Sequence, residues 1–466
     1  MKNNERRSGQ TIFIAISFLI AFGLSFSLLV RQIDSQAFVR GIQWDKQPSL
    51  DIWFESDPPL VYESLTNTVT FWQKTNRHPL FVYLGIVPVK IMGLLGVPER
   101  MAVCLVLALG VGLSSAFFAL TLLLILGLQP LTWLLQALFF SSSSFIFWAG
   151  ICERFPLGAA TIMATTAGVA YYSQKERMPT AAAVFLNVLS LSVTITNWMF
   201  GLLLSLCFFK PGKALRITAY TLLIAGSLWL LEGLFIRQFD DLIQVDEWNQ
   251  KFLLNPYSGS VLQKVLVLVS HTVVIPEMHP YNFSGVEGMN TKGLLGVQHS
   301  LPGGSGGLEF GLAIGWASLL ILGALTWWMK TVKTPFDRFL SLAIVGQVVL
   351  HLIYGTELFL YGPHVAPLLL LVVARGLGDL KRPALRRVLV GLSVFIPLLA
   401  LHNIARYTEA RVLYMERYKA GQSHLDRAHS ADGLEQFRFV RFRRPSSRIH
   451  PHSEAGQFPA ARANEA

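Results

Sequence analysis

Long apolar runs alternate with short polar ones along the chain. Residues 11–30, 101–126, 130–150, 155–173 and 179–209 contain no Asp, Glu, Lys or Arg. About 20 apolar residues in one helix cross a bilayer core, so each run predicts at least one membrane span. None shows the short alternating strands of an outer-membrane barrel. Runs at 217–236, 311–329, 339–356, 358–374 and 388–405 predict five more spans, the last two short. The run 179–209 is interrupted by Thr194-Ile195-Thr196-Asn197 and reads as two short crossings. Half-length helices that meet at a polar break require protein or a cavity to cover the exposed backbone. The expected fold is an all-α polytopic membrane protein of about eleven transmembrane helices.

Segment 79–97 either spans or lies along the outer surface. It contains Pro88 and Lys90, and a Lys in mid-membrane costs about 2.5–3.5 kcal/mol. If the segment lies flat, Lys175 and Arg177, then Lys210, Lys213 and Arg216, then Lys330, Lys333 and Arg338, and the Arg375–Arg387 cluster all fall inside. That arrangement satisfies the positive-inside rule throughout, so the flat reading is preferred. It places the N-terminus, with Lys2, Arg6 and Arg7, in the cytoplasm ahead of an uncleaved first span. Residues 31–100 and 237–306 become outer loops, the first carrying juxtamembrane helices. Val261–Pro276 reads as a further surface helix and Gly303–Gly307 as a flexible hinge.

Composition agrees with the pattern. The chain is 52% hydrophobic and 14% charged, against about 25% charged in soluble domains. Its net charge of +11 sits mostly at the ends of apolar runs, the placement of a membrane protein and not of a nucleic-acid binder. Cys104, Cys152 and Cys207 are scattered and form neither a disulfide framework nor a zinc site. Residues 1–405 therefore read as the membrane domain and 406–466 as a polar, basic, partly disordered tail. Its Arg438–Arg448 stretch is interleaved with Phe437, Phe439 and Phe442. The span count places the tail outside, unless 388–405, with Pro397, dips without crossing.

Three segments carry chemistry. The first outer loop holds Glu55-Ser56-Asp57-Pro58-Pro59, then Arg77-His78-Pro79-Leu80. A carboxylate here can act as a general base, and Arg77 and His78 can meet a departing phosphate. Equally, Asp57 is placed to cap a helix that begins at Pro58-Pro59. Glu153-Arg154 form a charged turn between two runs, with Trp148 in the aromatic belt and Ser141–Ser144 read as close helix packing. Glu357, Tyr361 and His364 follow i, i+4, i+7, which places them on one helix face. An intramembrane His aimed inward is a functional candidate, competing with an ordinary interhelical hydrogen bond.

This layout resembles the class C glycosyltransferase superfamily. The likeness rests on a first span, a long outer loop with a catalytic acid, His78-Pro79-Leu80 before a surface helix, the Glu153-Arg154 turn, and the Thr194–Asn197 break. It covers about residues 1–240. Within the superfamily it is similar to polyprenyl-phosphate-sugar-dependent enzymes such as dolichyl-phosphate-mannose–protein mannosyltransferases and aminoarabinose transferases. The usual adjacent Asp-Glu pair is replaced by Glu55-Ser56-Asp57. The resemblance implies transfer of a sugar from a polyprenyl-phosphate donor in the bilayer to a glycan, lipid or protein acceptor outside the cytoplasm. It implies a bacterial inner-membrane setting and no nucleic-acid partner. Asp57 is then the first candidate for the base and Glu55 the second. Arg77, His78 and Arg154 would meet the phosphate, and Glu153, Asn197, Tyr361 and His364 would line the cavity. No metal ligands are assigned, with room left for a divalent cation. The competing readings are a transporter or lipid flippase and a non-catalytic scaffold of the same fold.

Overall fold

The computed structural model describes residues 2–34, 53–68, 77–233, 252–286, 289–330 and 332–431. Residues Met1–Lys419 form one compact unit; of the second, Ala420–Ala466, residues 420–431 are helical. The elements run α1 (Lys2–Asp34), α2 (Pro58–Thr66), α3 (Phe81–Leu84), α4 (Ile86–Leu94), α5 (Glu99–Leu126), α6 (Pro130–Ser141), α7 (Ser143–Trp148), α8 (Phe155–Lys175), α9 (Thr180–Val193), α10 (Trp198–Phe208) and α11 (Pro211–Glu232). There follow α12 (Val261–Leu266), strands β1 (His279–Val286) and β2 (Met289–Gly296), then α13 (Gly307–Trp328), α14 (Pro335–Ile353), α15 (Gly362–Leu377) and α16 (Arg382–Ala431).

Seven helices are long and apolar enough to cross a membrane: Ser8–Gln32, Glu99–Leu126, Pro211–Glu232, Gly307–Trp328, Pro335–Ile353, Leu358–Leu377 and Arg382–Glu416. The chain is a multi-pass helical membrane protein. The expected eleven spans are not found among the described residues. The run 130–150 is two helices, because Ser142 turns out of helical geometry (ψ 147°) and caps α7 by accepting from the Phe145 N–H. The run 179–209 divides into helices of 14 and 11 residues around a 3₁₀ turn at Ile195–Asn197. Helix α8 is 21 residues long but rich in Gly, Ala and Thr, and most of it is buried. It faces protein, so it has no need of the apolarity that lipid demands. Segment 79–97 forms only the short α3 and α4, of 4 and 9 residues, joined at Gly85.

Burial separates the inner helices from the outer ones. The apolar window of Leu358–Leu377 is 78% buried and that of α5 67%, against 28% for α1 and α13. The outer helices show Leu223, Leu230, Ile321 and Leu325 outward, as lipid-facing surfaces do. Helices α13 and α15 touch through glycines. A Cβ on Gly323 would come within 2.7 Å of the Val373 Cα, and one on Gly376 would collide with the Gly323 carbonyl. Small residues permit this close backbone approach, the main source of packing energy between helices in lipid. At the ends of the same helices, buried Asp337 accepts from Arg375 Nε at 2.8 Å and Nη2 at 3.0 Å, and from Trp327 Nε1 at 2.8 Å. It also closes a capping box with Thr334.

The described residues are almost wholly helical, as expected, with one antiparallel hairpin, β1 with β2, in the second large connection. Two further expectations are corrected. Val261–Pro276 is not a surface helix. It is helical to His271, and Val267, Leu268, Val273, Val274 and Ile275 are fully buried. The freed N–H groups of Ser143 and Ser144 donate to Val273 O and Thr272 O at 3.1 and 3.0 Å, so the serine run stitches a helix break. Gly303–Gly307 is not a loose hinge, since Glu309 Oε2 accepts from Gly303 N at 2.7 Å and Ser305 N at 3.2 Å. Segment 388–405 lies inside the 50-residue α16, which carries Pro397 without interruption. Helix α16 passes the expected tail boundary at 405, and Tyr407 and Tyr414 pack against Trp53 at 5.8 and 6.0 Å between centroids. Arg438–Arg448 lies outside the described residues.

Candidate functional site

The segment Trp53–Asp57 is fixed before its carboxylates can be placed. Trp53 bridges Leu295, and the Phe54 N–H donates to Leu295 O at 3.0 Å. Ser56 turns back on Trp53 O through its N–H at 2.9 Å and its Oγ at 2.6 Å. The turn puts Phe54 and Glu55 at φ 51° and 58°. Two successive side-chain-bearing residues in the left-handed region cost about 1–3 kcal/mol each. The surrounding aromatic wall offsets that cost: Phe54 lies 5.0 Å from Phe359 and 5.7 Å from Phe147.

Asp57 occupies the N-cap of α2, but its side chain makes no capping bond. Pro58 and Pro59 have no N–H to be capped, which relieves the demand. The half-buried Asp57 carboxylate makes no hydrogen bond or ion pair among the described residues. Its backbone N–H is held instead, donating to Glu153 Oε1 at 2.8 Å. Glu153 Oε2 accepts from the Arg154 N–H at 2.7 Å. Glu153 is thus committed to two backbone groups, tying the turn 150–154 to the first loop. Arg154 lies over the Phe81 ring at 5.1 Å and donates through Nη2 to Ser64 Oγ at 2.8 Å. Charges on Asp57, Glu153 and Arg77 all reach it.

Glu55 points the other way. Its Oε2 accepts from Thr356 Oγ1 and from the Glu357 N–H, while Oε1 is buried without a hydrogen-bond partner among the described residues. The Glu357 carboxylate accepts from the N–H groups of Val297 at 3.1 Å, Gln298 at 3.2 Å and Phe359 at 3.4 Å. Three distant segments therefore meet at two carboxyls. Burial pushes Glu55 up to about 7, against the opposing bonds from Thr356 and Glu357. Burial and the Asp57 charge push Glu153 up to about 7. Burial and then the Glu55 charge push Glu357 up to about 8.

These shifts set a pH dependence. The folded chain binds more protons than the unfolded one between the ordinary value of 4.5 and about 7–8. Stability in this region is therefore highest at low pH and falls as pH rises through that window. Hydrogen exchange at 53–57 and 354–358, corrected for its intrinsic pH dependence, is expected to quicken several-fold between about pH 5.5 and 8.5. Glu357→Gln should flatten part of the rise. Corrected rates that stay flat in the wild type would show that these carboxyls do not govern the opening.

The remaining candidates divide into two groups. Arg77 and His78 serve the α9–α10 break. Ile195 N donates to Arg77 O at 3.0 Å, Leu80 N to Ser192 O at 3.0 Å, and His78 Nδ1 sits 2.6 Å from Val193 O. With Nδ1 donating to that carbonyl, Nε2 is left as the acceptor nitrogen of the neutral ring. Arg77 also reaches Tyr361 electrostatically, as do Glu55 and Glu153. Asn197 and His364 meet at Gly158, where a Cβ would lie 3.1 Å from Asn197 Nδ2 and 2.7 Å from His364 Nε2. Neither nitrogen has a partner among the described residues. Glu357, Tyr361 and His364 do not share one helix face. Glu357 caps a 3₁₀ turn, Leu358–Tyr361, and α15 starts afresh at Gly362. Tyr361 instead stacks on His351, with centroids 4.0 Å apart.

Asp57, Glu153 and Arg154 thus form one cluster beside Arg77 and Tyr361, with Glu55 behind it. Sequence reasoning passed over Ser64, Thr356 and Gln298. Only Thr356 carried a signal, as a polar residue at the end of the run 339–356, next to Glu357. Among the described residues no group of three His, Cys, Asp or Glu could hold a metal ion. A narrow apolar cleft of about 30 Å³, lined by Val111, Phe139, Phe145, Trp148, Pro156 and Pro363 among others, opens near the Glu153 turn. Compared with known proteins, the chain matches no family model, no curated protein and no solved structure.

Proposed function

We propose that the protein is a membrane glycosyltransferase that moves a sugar from a polyprenyl-phosphate donor to a hydroxyl acceptor outside the cytoplasm. The observation that carries this reading is the Asp57 carboxylate: unpaired, partly open, and held by its backbone beside Arg154. In this scheme the acceptor oxygen attacks the anomeric carbon and its proton passes to Asp57. The bond from that carbon to the phosphate oxygen breaks, and polyprenyl phosphate leaves as an anion. Arg154 and Arg77 would meet that charge, and the packed rings of Phe54, Trp148 and Phe359 would limit the entry of water. The apolar cleft is too narrow as it stands for a prenyl chain, so donor entry requires Trp148 or its neighbours to move. The same reading takes the host membrane as the bacterial inner membrane and the N-terminus as cytoplasmic.

A comparison of lipid and glycan extracts tests it. A strain lacking the protein is expected to lose one envelope glycan modification and to accumulate the corresponding polyprenyl-phosphate sugar. Re-expression should restore both. Identical glycans and identical carrier lipids in the two strains would overturn the proposal.

A further inference from the structure

Helix α16 opens with arginines that no other described residue pairs with. Arg382, Arg386 and Arg387, with Pro383 and Val390, line an open groove of about 640 Å³. All three are exposed, and none has an ion pair or hydrogen bond among the described residues. The nearby acids are engaged elsewhere: Asp379 pairs with Lys330 and Asp337 with Arg375. The groove therefore holds three unpaired positive charges, and the positive end of the helix adds to them.

The same face continues as an apolar row. Val390, Val394, Leu398, Leu401 and Ile404 are 62%, 60%, 40%, 66% and 51% exposed. They are spaced by four, four, three and three residues, so they lie one above another on the helix. Arg382 and Arg386 extend this row in steps of four, and Arg387 lies beside it. The opposite face, with Leu392, Ile396, Leu399 and Asn403, is buried. Because Arg382–Glu416 is long and apolar enough to cross the bilayer, the outer row faces acyl chains. The arginines then stand at the level where headgroups begin.

We infer that Arg382, Arg386 and Arg387 hold the phosphate of an anionic glycerophospholipid, with its acyl chains along Val390, Val394 and Leu398. Charge complementarity selects the anionic headgroup, and the apolar row in register with the arginines selects a lipid over a free anion. The inference rests on the membrane-spanning helix and is independent of any glycosyltransferase activity.

Native mass spectrometry of the full-length protein, titrated with phosphatidylglycerol, phosphatidylcholine or inorganic phosphate, tests it. The wild type is expected to retain phosphatidylglycerol in preference to phosphatidylcholine. R382Q/R386Q/R387Q should weaken that binding about a hundredfold, and each single Arg→Gln change about fivefold. The matched control K210Q/K213Q/R216Q, at another cluster of positive charges, should retain it. Should the triple variant fail to fold, the single variants carry the test. Unchanged phosphatidylglycerol binding in the arginine variants would overturn the inference. So would an equal loss in the control, or displacement of the lipid by millimolar inorganic phosphate.

Discussion

Asp57→Asn is expected to abolish sugar transfer while leaving the protein folded and inserted. Asparagine has the same shape and is as good an N-cap residue as aspartate, but it cannot take up a proton. The Asp57 side chain makes no capping bond, and its backbone tie to Glu153 does not depend on the side chain. Stability should therefore change little. Loss of a general base costs about 10²–10⁴ in rate, enough to remove product from an in-membrane assay. Glu55→Gln should be milder, because a glutamine oxygen can still accept from Thr356 and Glu357. Transfer retained in Asp57→Asn but lost in Glu55→Gln would move the base by two positions. Full activity in both would falsify the catalytic role of this loop.

Asp337→Ala is expected to be the most destabilising single change, at about 3–5 kcal/mol. It strands Arg375, whose side chain is only 16% exposed, and leaves Trp327 Nε1 without its acceptor. It also opens the capping box that starts α14. Arg375→Met should cost less, because Asp337 keeps its bonds from Trp327 and Thr334. Thermal unfolding in detergent checks both. A midpoint for Asp337→Ala equal to that of the wild type would show that the ion pair does not hold these helix ends, and an equal loss in the two variants would show that the Trp327 and Thr334 bonds add nothing to it.

Legibility in the sequence followed the range of the interaction. The break at Thr194–Asn197 was visible because polar residues interrupt an apolar run, and Asp57-Pro58-Pro59 because a helix start is encoded locally. The break at Ser142 was missed. Its serines look like packing residues until Val273 and Thr272 supply the carbonyls that make a break tolerable. Helix α8 reads as a span because residues 155–173 carry no charge, yet its Gly, Ala and Thr leave it less apolar than the seven long helices, since it packs against protein. The Glu357–His364 face failed because an α-helical period was applied across Gly362-Pro363, where the chain changes from a 3₁₀ turn to an α-helix. For the site, the acids could be named from the sequence but not sorted. Their division into an unpaired Asp57, a backbone-holding Glu153 and a buried Glu55 depends on partners supplied by distant segments.

The junction between Glu55 and Thr356 also dates the site. The two residues are 301 positions apart, so at about 5–20 residues per second a ribosome makes the second roughly 15–60 s after the first. During that interval the strained turn at Phe54 and Glu55 has neither the Thr356 hydroxyl nor the Phe359 ring to hold it. The early helices can insert and pair, but the loop that carries Asp57 cannot settle. A chain that stalls before Thr356 would have most of its membrane spans and no closed site, so competence arrives late in biogenesis, when the loop before α15 docks.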